Sequence, residues 1–334
     1  MKNKWIVGLL ALGSVSMLCG FDSAETAESI LTQVQENTAS VESMTSAFDL
    51  NCDIAINISD ETTTSSIGIS VGADYDIQAT LDPLATALTG TMTISTFGNG
   101  ETIDMQMYMI SSDDTVDTYV YTEDSASDEE GAGTWEYSSV SAEDYDIQSL
   151  MELSESLDYS QMSEWGIDFT LASEAADYEG TECYLLTTVM DVSTVSTILE
   201  KAEELAAESG ADVSDLTGDA DLDAVLELLD GLQVKIEYYV DTATYLPVAM
   251  HIDLNDSDLT ALNNYLAAYL ADYLASEEDS STIEIILNDL SMDYTMSYDN
   301  AEEITVPQEA LDAIAAGEAE DLEETIEEAV ADAI

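Results

Sequence analysis

Residues 234–254 read Val-Lys-Ile-Glu-Tyr-Tyr-Val-Asp-Thr-Ala-Thr-Tyr-Leu-Pro-Val-Ala-Met-His-Ile-Asp-Leu, and this stretch decides the fold. Val234, Ile236, Tyr238 and Val240 alternate with Lys235, Glu237, Tyr239 and Asp241. After a short polar turn, Val248, Met250, Ile252 and Leu254 alternate again within residues 245–254. A period of two sends successive side chains to opposite faces of a strand, so one face is dry and the other wet. Two such runs across a short turn predict a β-hairpin. Pro247 has no N–H for a ladder, which places it at a strand entrance or edge.

The same period governs most of the chain. Phe48, Leu50, Cys52, Ile54, Ile56 and Ile58 alternate with polar residues through 44–58. Further strands are predicted at 65–82, 87–97, 101–111, 115–123, 134–140, 166–172, 183–190 and 283–298. Asp82-Pro83, Gly98-Asn99-Gly100 and Asp113-Asp114 supply turn chemistry between them. The period changes to helical at 27–41, where Ile30, Leu31, Val34, Thr38 and Val41 share one face. Residues 144–157 also read as helical. Two helical insertions interrupt the strands, at 192–230 and 257–276. In the second, a leucine stripe is flanked by Tyr265, Tyr269 and Tyr273, which could line a ligand mouth or form the buried face of a surface helix. Val306-Pro307 opens a C-terminal helical segment. The expectation is an α+β fold: a meander of long antiparallel strands with an N-terminal helix and inserted helices.

Residues 1–18 carry Lys2 and Lys4 ahead of an apolar run from Trp5 to Leu18, too short to span a bilayer comfortably, and read as a signal peptide. Cys19 follows at once, as in a lipobox, so residues 19–26 read as a lipid-anchored linker. Secretion after ordinary cleavage is the alternative. The folded domain is then 27–316, and 317–334 is an acidic tail. Past the leader, Lys201 and Lys235 are the only basic side chains other than His251, against 72 acidic residues in the chain, and there is no arginine. That balance excludes nucleic acid as a partner, since phosphate binding needs Lys or Arg clusters. It leaves the N-terminal lipid as the membrane contact, and divalent cations as candidate partners. With 46% hydrophobic residues and 17 tyrosines the chain can nevertheless bury a substantial core. Export makes a disulfide between Cys52 and Cys183 chemically permissible, two buried free thiols being the alternative.

No catalytic constellation is written in the chain, and no cofactor motif. His251 is the single histidine, which excludes His-pair zinc sites; on an alternating strand it reads as a solvent-facing residue. The nearest metal motif is Asp219, Asp221, Asp223 and Asp230, acids at positions 1, 3, 5 and 12 of a calcium loop. Ala224 stands where that loop needs glycine, and the same residues read as an N-capped amphipathic helix.

Glu237-Tyr-Tyr-Val-Asp241, three residues, then Tyr245-Leu-Pro-Val248 resembles the strand, Asp, turn, Leu-Pro, strand signature of the LolA-type outer-membrane lipoprotein carriers. It also resembles the extracytoplasmic Gram-positive lipoproteins that share their fold. The order of lipobox, helix, long meander, hairpin, last strand and closing Ile304-Thr-Val-Pro307 is similar too. The resemblance implies a curved antiparallel half-barrel with helices on its concave face, and an apolar cavity that takes lipid or acyl chains. The two helical insertions, the acidity and the absence of the carriers' arginine depart from that family. The function expected is therefore non-catalytic binding of an apolar or amphipathic ligand at the cell envelope. A structural or protein-interaction module is the alternative, and a carboxylate-pair glycan hydrolase is a third reading.

Overall fold

A computed structural model describes residues 25–59, 64–81, 83–96, 99–112, 115–124, 133–141, 159–194, 196–198, 201, 231–254, 257–265, 267, 282–316 and 320–321. One curved, unclosed sheet of thirteen strands dominates it. In chain order the elements are α1 (Ala27–Thr38), β1 (Ser43–Ser59), β2 (Thr64–Leu81), β3 (Leu84–Thr96), β4 (Asn99–Ser111), β5 (Thr115–Asp124) and β6 (Thr134–Ser141). There follow α2 (Tyr159–Glu164), β7 (Thr170–Leu171), β8 (Ala176–Tyr178), β9 (Thr181–Asp191), β10 (Gln233–Asp241), β11 (Pro247–Asp253), β12 (Thr282–Tyr298), α3 (Gln308–Ala316) and β13 (Glu320–Asp321).

Across the sheet the order is β13-β6-β5-β4-β3-β2-β1-β12-β11-β10-β9-β7, with β8 paired to β9. Every pairing is antiparallel except the two-residue β13 to β6 contact. The hairpin is β10 and β11, with Tyr238 opposite Met250. It belongs to the same continuous sheet, and Pro247 opens β11. The first and last long strands, β1 and β12, close the middle of the sheet against each other from Met44↔Tyr298 to Ser59↔Thr282. Strands of 17 or 18 residues at about 3.4 Å per residue reach nearly 60 Å, far more than one short helix can cover.

Residues opposite each other in an antiparallel ladder share a face, so the register sorts the side chains into two sets. Phe48, Tyr294, Met250, Tyr238 and Leu186 lie on one face, with Tyr75 beside Phe48 on β2. Here α1 lies down, burying Ile30, Leu31 and Val34 against Leu186, Tyr238, Val240 and Met250. We call this the inner face. Thr26 starts α1 with a capping box: its hydroxyl accepts from the Ser29 N–H at 3.1 Å, and the Ser29 hydroxyl accepts from the Thr26 N–H at 2.8 Å. At the other end the Asn37 side-chain amide donates to the Thr244 carbonyl at 2.7 Å, tying the helix to the hairpin turn. That turn is held by Asp241, which accepts from the Ala243 N–H and the Thr244 hydroxyl, both at 2.8 Å.

The other helix packs on the opposite face. Ala310, Ala313 and Ile314 of α3, with Val306, sit on Tyr108, Tyr119, Tyr121, Trp135 and Tyr137 of β4, β5 and β6. Tyr119 stands opposite Tyr108 and Tyr137 and is out of phase with the inner set.

Three expectations need adjusting. The first helix ends at Thr38, whose hydroxyl donates to the Val34 carbonyl, so Val41 falls outside it. The strand expected at 166–172 shrinks to Thr170–Leu171, because Gly166 at φ 83° ends the α2 turn. Ala176–Tyr178 then adds a strand through a tight turn at Glu179 and Gly180, both at positive φ, with Asp177 accepting from the Gly180 N–H. The predicted helix at 144–157 lies outside the described residues.

Candidate functional site

The inner face has two parts. Under α1 the side chains are closed off: Leu186 and Val240 are fully buried and Tyr238 is 2% exposed. Moving along β12, β1, β2, β3 and β4 away from α1, the face keeps its apolar character. One ladder row is Leu290, Cys52, Val71 and Ile94; the next is Leu287, Ile54 and Ile69. These residues are half-buried, and Ile94 reaches 38% exposure.

Between the two parts stands an aromatic layer. The Phe48 ring lies 4.7 Å from Tyr294 and is stacked on Tyr75 at 6.2 Å. Tyr75 has room because Gly90 is opposite it: a Cβ there would meet the Tyr75 ring at 2.6 Å and the Asp74 carbonyl oxygen at 2.0 Å. Burial pushes the phenols of Tyr75, Tyr294 and Tyr298 up from their ordinary value, so the layer stays uncharged.

A β-bulge keeps the face apolar along β12. The register slips between Asp53 and Ile54, so Cys52 faces Leu290 and Ile54 faces Leu287. Without the slip, Asn288 would stand opposite Ile54 on the dry side. The sequence carries the signal: Ile283, Ile285 and Leu287 occupy odd positions, with Ile286 also apolar, and Leu290, Met292, Tyr294 and Met296 occupy even ones.

Beside the start of α1 is a cavity of about 500 Å³ lined by Glu25, Leu171, Ala172, Glu174 and Tyr184, among others. Tyr184 donates to the Glu25 carboxylate at 2.5 Å and lies 3.3 Å from the Tyr245 hydroxyl. Burial, then these two hydrogen bonds, hold its phenol well above the ordinary range. A second cleft of about 270 Å³ opens where Asp53, Ser70, Thr93, Asp289 and Ser291 meet, and the Ser70 hydroxyl donates to Asp53 at 2.5 Å.

The structure places few of the sequence candidates in one site. Cys52 and Cys183 are free thiols, which corrects the candidate disulfide. Cys52 is on β1 and faces inward, Cys183 on β9 faces outward, and β12, β11 and β10 lie between them. Four strand spacings of about 4.8 Å along the sheet far exceed disulfide reach. Burial, ahead of nearby aspartates, pushes both thiols up from their ordinary value, which makes them poor nucleophiles. Tyr265 is 51% exposed. Cys19, Tyr269, Tyr273, Asp219, Asp221, Asp223 and Asp230 lie outside the described residues. His251 is not a bare solvent-facing side chain: its Nδ1 is 2.7 Å from the Asp293 carboxylate, across the β11 to β12 pairing. Among the described residues no group of three or more acids, histidines or cysteines is arranged to hold a metal ion.

A family model described as a family of unknown function, DUF6612, matches residues 26–258. No curated protein matches. Among solved structures the chain is similar to the lipoprotein LppX of Mycobacterium tuberculosis, at 12% identity and a TM-score of 0.31, covering 82% of this chain and 94% of that one. It is also similar to LprF of Mycobacterium bovis, at 14% identity and a TM-score of 0.31, over 83% and 95% of the two chains. An outer-membrane lipoprotein-sorting protein domain from Vibrio parahaemolyticus aligns over 81% of this chain and 92% of its own, at 9% identity and a TM-score of 0.19.

Proposed function

We propose that this chain, which belongs to the family of unknown function DUF6612, is an extracytoplasmic lipoprotein that holds an apolar or amphipathic ligand, a lipid or acyl chain, on the inner face of its half-barrel. One observation carries the reading. Beyond the aromatic layer, Ile54, Ile69, Val71, Leu287, Leu290 and Ile94 form a contiguous apolar surface over four adjacent strands, and none of them reaches the burial of the core under α1. Apolar surface of that extent on a soluble domain is a standing source of free energy for binding, about 25 cal/mol per Å² covered. An apolar face of this kind would select ligands by shape and apolarity and needs no charged residue.

Lipidation of Cys19 would hold the start of α1 near a bilayer. Seven residues, 20–26, separate Cys19 from α1, and at most ~3.6 Å per residue they reach no further than about 25 Å. The ligand would then be taken from or given to the membrane in which the anchor sits.

Native mass spectrometry of the protein, followed by solvent extraction, tests the binding. A co-purifying lipid mass, or saturable uptake of a fluorescent fatty acid, is expected. Ile54→Thr with Ile69→Thr, which keeps the β-branched shape and adds no charge, should sharply weaken uptake while leaving the circular dichroism spectrum unchanged. A clean apo mass with no uptake in the unsubstituted protein overturns the reading in favour of a structural or interaction module.

A further inference from the structure

Behind the aromatic layer, on the outer face, the register lines up a row of acids perpendicular to the strands. Glu237 on β10 stands opposite His251 on β11, His251 opposite Asp293 on β12, Asp293 opposite Asp49 on β1, and Asp49 opposite Asp74 on β2. Beyond Thr91 on β3 the row resumes with Asp104 on β4. Asp49, Asp74 and Asp293 occupy neighbouring residues to Phe48, Tyr75 and Tyr294, so the row backs the border between the covered and open parts of the inner face. Like charges directly opposite on adjacent strands repel, and here one carboxylate has a carboxylate on each side.

We infer that this row is a pH- and salt-responsive device at the centre of the sheet: neutralising or screening its carboxylates tightens the pairing of β2, β1 and β12, and full ionisation at low ionic strength loosens it. Among the described residues, the titratable groups that the flanking strands set against Asp49 are acids. β2 presents Asp74 opposite it and Asp76 diagonally, β12 presents Asp293, and β1 itself presents Asp53 on the same face four residues on. His251 is the one group in the row able to become a cation, and it sits on the far side of Asp293. Lys235, the one described lysine nearby, holds Glu237 at 2.9 Å at the end of the row. Burial, then Asp74 and Asp293, raise the Asp49 carboxyl above its ordinary value. A carboxyl raised on folding contributes stability that is complete below the unfolded carboxylate range and is lost as pH rises through its folded value. The device is therefore tight below the ordinary aspartate range and looser at neutral pH. Salt acts in the same direction as acid, because the charges are exposed and screening reaches them.

Thermal unfolding of the full chain tests this, with Asp49→Asn and Asp74→Asn compared against Glu303→Gln, which removes one exposed charge outside the row. At pH 7.5 in low salt, each row variant should raise Tm by about 2–4 °C, and the control by less than half of that. The advantage should shrink at pH 3.5, below the ordinary aspartate range, and in 0.5 M NaCl, where neighbouring charges are screened. Two results overturn the inference: row variants that shift Tm no more than Glu303→Gln does, or a row advantage that is the same at both pH values and both salt concentrations. Because the readout is unfolding without ligand, it stands or falls separately from lipid binding.

Discussion

The covered and open parts of the inner face are built from the same residue types and end in different states. Leu186 and Val240, under α1, have no exposed surface, while Ile94 keeps 38% of its own. Both belong to strands with the same alternating pattern. Alternation thus chooses the face a side chain points to, and the element laid over that face chooses how dry it becomes. One part buries its apolar surface on folding; the other leaves it partly exposed.

Four substitutions would break or sharpen this contrast. Leu186→Ala should be the most damaging, destabilising by about 2–5 kcal/mol because α1 and the sheet leave a cavity that cannot collapse. A urea midpoint followed by circular dichroism reads it, and a loss below 1 kcal/mol would mean that the covered part is no tighter than the open one. Gly90→Ala comes next, at about 1–3 kcal/mol, since the new methyl must displace the Tyr75 ring and the Asp74 carbonyl. The aromatic border should loosen, visible as a weaker near-ultraviolet signal at unchanged far-ultraviolet signal. Thr26→Ala removes the cap that seats α1 and should cost about 1 kcal/mol. Ile94→Ser should move stability by no more than about 0.5 kcal/mol yet weaken uptake of the fluorescent fatty acid several-fold. Should it instead destabilise as much as Leu186→Ala, the open part is core and the contrast dissolves.

Much of the fold was legible because strand patterning is local. Residues 44–58 and 283–298 were readable as long strands, and the hairpin of 234–254 came out with Tyr238 and Met250 on one dry face. The bulge was legible too, in the phase change across Asn288 and Asp289, although alternation read strand by strand passes over it. The site was less legible. For Tyr265 the residue type offers an apolar body with a polar tip, while its 51% exposure depends on its neighbours and not on residue type. The Cys52 and Cys183 pairing rested on export chemistry, whereas reach depends on how many strands intervene. His251 could be seen as solitary, but its Asp293 partner is 42 residues away and no local spacing announces it.

Period and composition along the chain already mark the long strands, the face their side chains take, the buried stripe of α1 and the strongly acidic surface, since each follows from a period or a count. Only the tertiary structure decided that β1 pairs with β12, that α3 packs on the face opposite α1, and that acids from separate strands fall into one row behind Phe48. Those facts depend on register between distant segments. Period two fixes a side chain's face but leaves the partner strand and its offset free until the whole sheet has chosen the pairing that buries the most apolar surface.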